Sequence, residues 1–184
     1  MRIVDVTLEN LADCPAEVRS SVFWELDLEE PPVEAGFLKE EWFSSTLLEW
    51  GGCGKLLIDG GVVGFTQYGP PSLFPRLGRF RCGRVSRDAV YLSYCYMVPK
   101  RRGRGEGGRL VRTVGHDVFD RGYRALEAIG DREWDGGWVL PAGFLAASGF
   151  AVIRDDPRFP LMRLEPATGR EPAVQATAVS LPDR

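Results

Sequence analysis

The chain has 184 residues, with 23 basic against 26 acidic side chains, 44% apolar content, four cysteines and one histidine. That length and apolar content fit one globular domain and exclude wholesale disorder. No apolar run approaches the roughly 20 residues of a membrane span, Met1-Arg2-Ile3-Val4-Asp5 carries no export signal, and a cytoplasmic protein is expected.

Ile3-Val4-Asp5-Val6-Thr7-Leu8 alternates as a first strand. Residues 15–28 read as helical or irregular, with Phe23-Trp24 as a core anchor, and Pro31-Pro32 breaks the chain. A helix is predicted over 33–49, with Phe37, Leu38, Trp42, Phe43, Leu47 and Leu48 on a broad apolar face that ends at Gly51-Gly52. Lys55-Leu-Leu-Ile58, Asp59-Gly60 and Val62-Val-Gly-Phe65 predict a hairpin over 53–59 and 62–69. Residues 69–88 form a long loop bearing Arg76, Arg79, Arg81, Arg84 and Arg87. A loop of that length in a compact domain tends to be functional or disordered.

Residues 89–98 are rich in strand formers and end at Pro99. Leu110, Val111, Val114 and Val118 place one apolar face on a helix from Glu106 to about Arg121. Tyr123–Ile129 is a strand, Pro141–Ser148 a short helix, and Phe150–Arg154 with Leu161–Glu165 a closing hairpin. The tail from 166 to 184 has three prolines and no aromatic residue, and a flexible segment is expected there. The predicted architecture is one α/β domain over 1–165, built on a mixed sheet that is not doubly wound.

Cys14, Cys53, Cys82 and Cys95 are far apart with no C-x-x-C pair, so no metal site is expected. His116 stands alone on the polar side of its helix, which removes any mechanism needing two histidines.

The informative segment is Val98-Pro-Lys-Arg-Arg-Gly-Arg-Gly-Glu-Gly-Gly-Arg-Leu110, between a strand and a helix. Glycines there let backbone N–H groups converge on an anion, and the helix adds its positive N-terminus. Residues 76–112 hold eleven Lys/Arg against Asp88 and Glu106, a local cationic patch in a chain whose net charge is −3. A polyphosphate is the expected ligand. The P-loop pattern is excluded, because no Lys-Ser/Thr pair comes after the glycines. Gly103-Arg-Gly105-Glu-Gly-Gly108 does match the dinucleotide pattern, with Glu127 as its ribose acid. Against that reading, Pro99-Lys-Arg-Arg separates the glycines from the strand, and too few β-α units come after it. A nucleic-acid module is disfavoured, because the arginine-rich loop carries only Phe74 and Phe80 for stacking.

At Arg102-Gly103-Arg104-Gly105-Glu106-Gly107, preceded by Val98-Pro99, the sequence resembles the coenzyme-A signature of the GCN5-related N-acetyltransferase (GNAT) superfamily. Phe144-Leu145-Ala-Ala-Ser-Gly149-Phe150 is similar to a second pattern of that family, an aromatic-Tyr pair followed by Gly-Phe. The resemblance implies a mostly antiparallel central sheet flanked by helices, acetyl-CoA as cosubstrate, no metal, and acetyl transfer to an amine of a small molecule or peptide. It leaves a homodimer open.

By position, Gly103, Arg104, Gly105, Glu106, Gly107 and Gly108 would hold the pyrophosphate with Arg102. Backbone groups of Tyr96, Met97 and Val98 would meet the pantetheine arm. Lys100, Arg101 or Arg104 would meet the 3′-phosphate. The family's proton-donating Tyr is replaced by Leu145. Tyr94 or Cys95 is a candidate substitute, and Glu127 a candidate base. The departure at Leu145 also admits a non-catalytic acyl-CoA-binding or partner-binding module on the same fold.

Overall fold

The computed structural model describes residues 1–167. Eight strands and four α-helices alternate: β1 Arg2–Asp5, α1 Ala16–Arg19, α2 Ala35–Glu49, β2 Gly54–Ile58, β3 Val62–Gly69, β4 Ala89–Met97, α3 Glu106–Asp120, β5 Ala125–Asp131, β6 Leu140–Pro141, α4 Ala142–Ala147, β7 Ala151–Arg154 and β8 Leu161–Leu164. The sheet order is β1-β2-β3-β4-β5-β8-β7, with β6 beside β5. Only β4–β5 and β5–β6 run parallel. The tail expected over 166–184 lies almost wholly outside the described residues.

The hairpin forms where Asp-Gly predicts it. Gly60 takes φ +71°, the left-handed conformation that glycine adopts without a Cβ clash, and the Asp59 N–H donates to the Gly61 carbonyl at 2.8 Å. On α3 the predicted stripe is the buried one: Leu110, Val111, Val114 and Val118 are fully covered, while His116 is exposed. Val111, Val114 and Val118 pack with Val90, Leu92, Leu126 and Ala128 of the sheet, and Leu110 with Leu57 and Met97. Close approach of α3 requires Gly64, since a Cβ there would lie 2.6 Å from Met97 Sδ and 2.8 Å from Leu110 Cδ1. Helices α1 and α2 cover the opposite face, where Phe43 and Val18 meet Leu56 and Phe65.

Three expectations are corrected. Helix α2 does not bury the broad face read from its apolar residues: Phe37 is 69% and Leu48 86% exposed, while Lys39 and Thr46 are buried. The stripe runs through Lys39 because its ammonium finds Glu25 and Gln67 inside. The loop 69–88 contains two short 3₁₀ turns, Pro71–Leu73 and Pro75–Arg79. Strand β6 adds to the predicted elements; its two residues are too few to leave an alternating pattern in the sequence.

Candidate active site

The site begins where two strands part. Strands β4 and β5 pair only over Ala89↔Ala125, Val90↔Leu126 and Tyr91↔Glu127. Beyond Tyr91, β4 keeps its ladder with β3 alone. Register in that ladder jumps from Gln67↔Tyr94 to Tyr68↔Leu92, so Ser93 is an extra residue on β4. A bulge of this kind bends its strand and re-aims the residues beyond it.

The splayed edge opens a cleft of about 540 Å³. Just past the end of β4, the Val98 N–H donates to the Val63 carbonyl at 3.0 Å, and the Val98 carbonyl accepts from Arg101 N–H at 2.9 Å. Strand alternation then turns the backbone groups of Met97 and Cys95 to the cleft edge, and those of Tyr96 toward β3. Arg102 Nε donates to the Met97 carbonyl at 3.0 Å, leaving the Met97 N–H facing the cleft. Backbone pairing expected from Tyr96, Met97 and Val98 thus narrows to Met97 on geometry, because Tyr96 and Val98 spend theirs on β3 and on the turn after Pro99.

The glycine-rich turn closes the cleft's end. Gly103 and Gly105 have φ +73° and +76°, and nothing lies within 4 Å of where their Cβ atoms would be. Gly105 is the N-cap of α3, so the helix's unpaired N–H groups begin there. Tyr96, Met97, Arg102, Gly103, Gly105, Glu106, Gly107 and Gly108 all line the cleft; Val98 and Arg104 do not. Arg101 also lines the cleft, with its guanidinium held by Asp59 at 2.6 Å and Glu106 at 2.5 Å. The same guanidinium holds the Glu106 carboxyl below the usual carboxylate range.

Sequence reasoning missed Arg112 and the Gly136-Gly137 pair, which line the cleft together with Phe144 and Trp134. Arg112 stands one turn after Gly108 on the same helix, a spacing that would have flagged it. Phe144 packs beside Gly107, where a Cβ would come within 3.2 Å of the ring.

The candidate acids separate clearly. Tyr94 lines the cleft at its inner end, tilted against Trp138 at 5.0 Å. Its hydroxyl has no hydrogen-bond partner among the described residues, and burial pushes its pKa well above the ordinary phenol value. A phenol so placed stays protonated at neutral pH and keeps a proton to donate. Burial likewise pushes the Cys95 thiol up to about 12, so it holds no thiolate near neutral pH.

Glu127 is fully buried but lies outside the cleft. One oxygen accepts from Arg163 Nη1 at 2.8 Å and the other from the Ser86 N–H at 2.8 Å. Its expected service as a base meets this obstacle: both oxygens are taken, and Arg163 also binds Asp88. Leu145, one residue after Phe144 on α4, is fully buried in the core. Trp24 is buried as expected of a core anchor, while Trp134 is 40% exposed at the cleft. Among the described residues no group of three metal-ligating side chains converges, and no helix is long and apolar enough to cross a membrane.

No family model and no curated protein matches the sequence. Solved structures do match the fold. An N-acetyltransferase from Staphylococcus aureus Mu50 is similar at TM-score 0.59 and 16% identity, over 89% of this chain and 97% of that one. PaiA N-acetyltransferase from Thermoplasma acidophilum, in complex with coenzyme A, is similar at TM-score 0.55 and 14% identity, over 89% and 98%. A GNAT family acetyltransferase from Brucella melitensis, in complex with acetyl-CoA, is similar at TM-score 0.51 and 17% identity, over 92% and 89%. The splayed β4–β5 pair, the glycine-capped helix after it and this likeness along nearly the whole chain give the protein the fold of the GNAT acetyltransferases.

Proposed function

We propose that this chain is an acetyl-CoA-dependent N-acetyltransferase that passes the acetyl group directly to a primary amine. The observation that carries the reading is the cleft itself. It runs from the unpaired edge of β4 to the αL glycines at the start of α3, which suits an extended thiol arm joined to a diphosphate. The residues fit that cosubstrate: the open Cβ positions of Gly103 and Gly105 let backbone N–H groups approach an anion, and α3 adds its dipole. Two of the similar structures are complexes with coenzyme A or acetyl-CoA, which supports the choice of ligand.

Bound acetyl-CoA would supply an acyl carbon activated as a thioester. The chain's own residues do the rest. The N–H groups of Gly103 to Gly108 hold the diphosphate, with Arg102 and Arg112 beside them. The Met97 N–H donates to the thioester carbonyl and stabilises the negative charge that develops there. An uncharged amine attacks the carbonyl carbon, the carbon–sulfur bond breaks, the Tyr94 hydroxyl gives its proton to the departing sulfur, and the proton shed by the acylated nitrogen restores the phenol through water. Tyr94 replaces, from β4, the donor that Leu145 cannot be. Glu127 serves as the anion that fixes Arg163 between β5 and β8.

Calorimetric titration with acetyl-CoA tests the reading, and an absence of binding up to millimolar ligand refutes it. One observation favours a second reading, a non-catalytic acyl-CoA-binding module: the buried Leu145 leaves α4 without an acid. Binding of acetyl-CoA with no thiol release across a panel of amines would establish that alternative.

A further inference from the structure

A second concavity, about 390 Å³, lies across Val139 from the cleft, and Val139 lines both. Its walls are aromatic: Phe23, Phe80 and Phe159, the last two edge to face at 5.3 Å. Its charge comes from Arg76, Arg79 and Arg81 of the loop between β3 and β4. No residue of that loop lines the glycine-ended cleft, so these arginines are surplus to the phosphates expected at Gly103–Gly108.

The three guanidinium groups are not equivalent. Arg76 donates to the backbone carbonyls of Phe23 and Leu28 and lies 4.2 Å over the Phe23 ring, so it builds the wall. Arg79 is paired with Asp27. Arg81 is exposed and makes no ion pair or hydrogen bond within 4 Å among the described residues, though its charge acts on Asp156 across the pocket. The only carboxylate on the lining is Asp156, which accepts the N–H groups of Arg158 at 3.0 Å and Phe159 at 2.7 Å and holds the β7–β8 turn. Three positive charges against Asp27 and Asp156 leave one in excess. An aromatic pocket with one net positive charge and an exposed guanidinium suits a flat apolar body carrying a single negative charge.

We propose that this pocket holds the acceptor, and that the acceptor is an arylalkyl amine bearing one carboxylate. Arg81 binds the carboxylate, the three phenylalanine rings hold the aryl body, and the amine points past Val139 to the inner end of the cleft at Tyr94. The proposal rests on the acetyl-transfer reading and names its substrate class. The charge count favours a carboxylate over a phosphate dianion, which would need a second free cation.

The test uses the full chain and matched amines: phenylmethyl-, phenylethyl- and phenylpropylamine, each beside its para-carboxylate and its para-phosphonate. Thiol release from acetyl-CoA is measured for all nine. The carboxylate member of at least one chain length is expected to exceed its neutral partner about tenfold in kcat/KM, mostly through KM, the effect of one charge-assisted hydrogen-bonded pair. In Arg81→Ala that ratio falls to about one, and in Arg81→Glu it inverts. No preference at any length, a preference that survives Arg81→Ala, or a stronger preference for the phosphonate overturns the proposal.

Calorimetry separates the two levels of claim. If acetyl-CoA binds but the amine pairs are indistinguishable, the substrate class fails and the acetyl-transfer reading stands. If acetyl-CoA does not bind, that reading fails. The pocket is then judged by direct titration with the para-carboxylate of phenylpropylamine. Binding that Arg81→Ala abolishes keeps the anion pocket, and no binding sinks it.

Discussion

The two walls that meet at Tyr94 are made of different material. The wall from Met97 to Gly108 is made chiefly of backbone: a bulged strand edge, two αL glycines and a helix start. The wall formed by α2, the loop 69–88 and Trp24 is made of side chains, including a buried ion pair and the Trp24 ring stacked on Phe80 and edge to face with Tyr91. Backbone geometry suits a ligand part common to many enzymes, since it depends on glycine and strand direction and on little else. Side-chain geometry suits a part that differs between enzymes, because each substitution reshapes it. A wall of the first kind should fail through loss of ligand binding, and one of the second through loss of stability or selectivity.

The largest expected effect is on the side-chain wall. Lys39 Nζ is bound to Glu25 and, at 2.6 Å, to Gln67 Oε1, with all three residues buried. Lys39→Ala leaves the Glu25 carboxylate buried with Gln67 alone. Breaking one partner of a buried pair costs about 3–5 kcal/mol. The loss should appear as a lower denaturant midpoint, and Lys39→Met with Glu25→Leu should recover most of it. Single and double variants of equal stability would mean that the pair contributes nothing specific.

The backbone wall predicts the opposite pattern. Gly105→Asp places a carboxylate where the cosubstrate's diphosphate is expected, and acetyl-CoA affinity should fall at least about hundredfold, or ~2.7 kcal/mol. Stability should fall by only about 1–2 kcal/mol, the cost of a non-glycine residue at φ +76°. Gly107 would be a poorer probe. It is buried against Phe144, so a side chain there disturbs packing and binding together. Unaltered affinity in Gly105→Asp, measured calorimetrically, would move the phosphate site elsewhere.

This contrast also explains what is legible in the sequence. Strand formers over Ala89–Met97, Asp59-Gly60 between apolar runs and the glycines after Pro99 are local signals, and the structure places each where they put it. The α2 face misleads because its burial is decided elsewhere in the chain. Lys39 is inside only because Glu25 and Gln67 come to it, from 14 and 28 residues away. Glu127 misleads for the same reason. A carboxylate in an apolar strand reads as a candidate base until Arg163, 36 residues on, is seen to hold it. The Gly136-Gly137 pair leaves no trace, since a lining loop has no period.

At the junction of the walls, Tyr94→Phe should lower kcat about hundredfold, the low end for loss of a general acid, with acetyl-CoA affinity unchanged. The hydroxyl has no partner among the described residues, so thermal stability should hardly move. Burial raises the Tyr94 pKa above its ordinary value of 10.0, so its proton stays on as pH rises to that point. An enzyme that needs this proton should therefore show no alkaline loss of kcat from Tyr94 below pH 10. An unchanged kcat in the Phe variant would return the sulfur to leaving as a thiolate.

The smallest expected effect separates two arginines that look alike in sequence. Both line the cleft, but Arg101 is paired with Asp59 and Glu106, whereas Arg112 has no ion-pair partner among the described residues. Both are near the surface, where salt screens charge over about 8–10 Å. Arg112→Ala should weaken acetyl-CoA binding about fivefold at low salt, and the difference should shrink as salt is added, as expected for a screened contact to an anion. Arg101→Ala should leave affinity within about twofold at every salt concentration, because its charge is already neutralised by its neighbours. Titrations at two ionic strengths decide between them. Equal salt-dependent losses would mean that the Asp59–Arg101–Glu106 network opens when ligand arrives, making the backbone wall partly a side-chain wall as well.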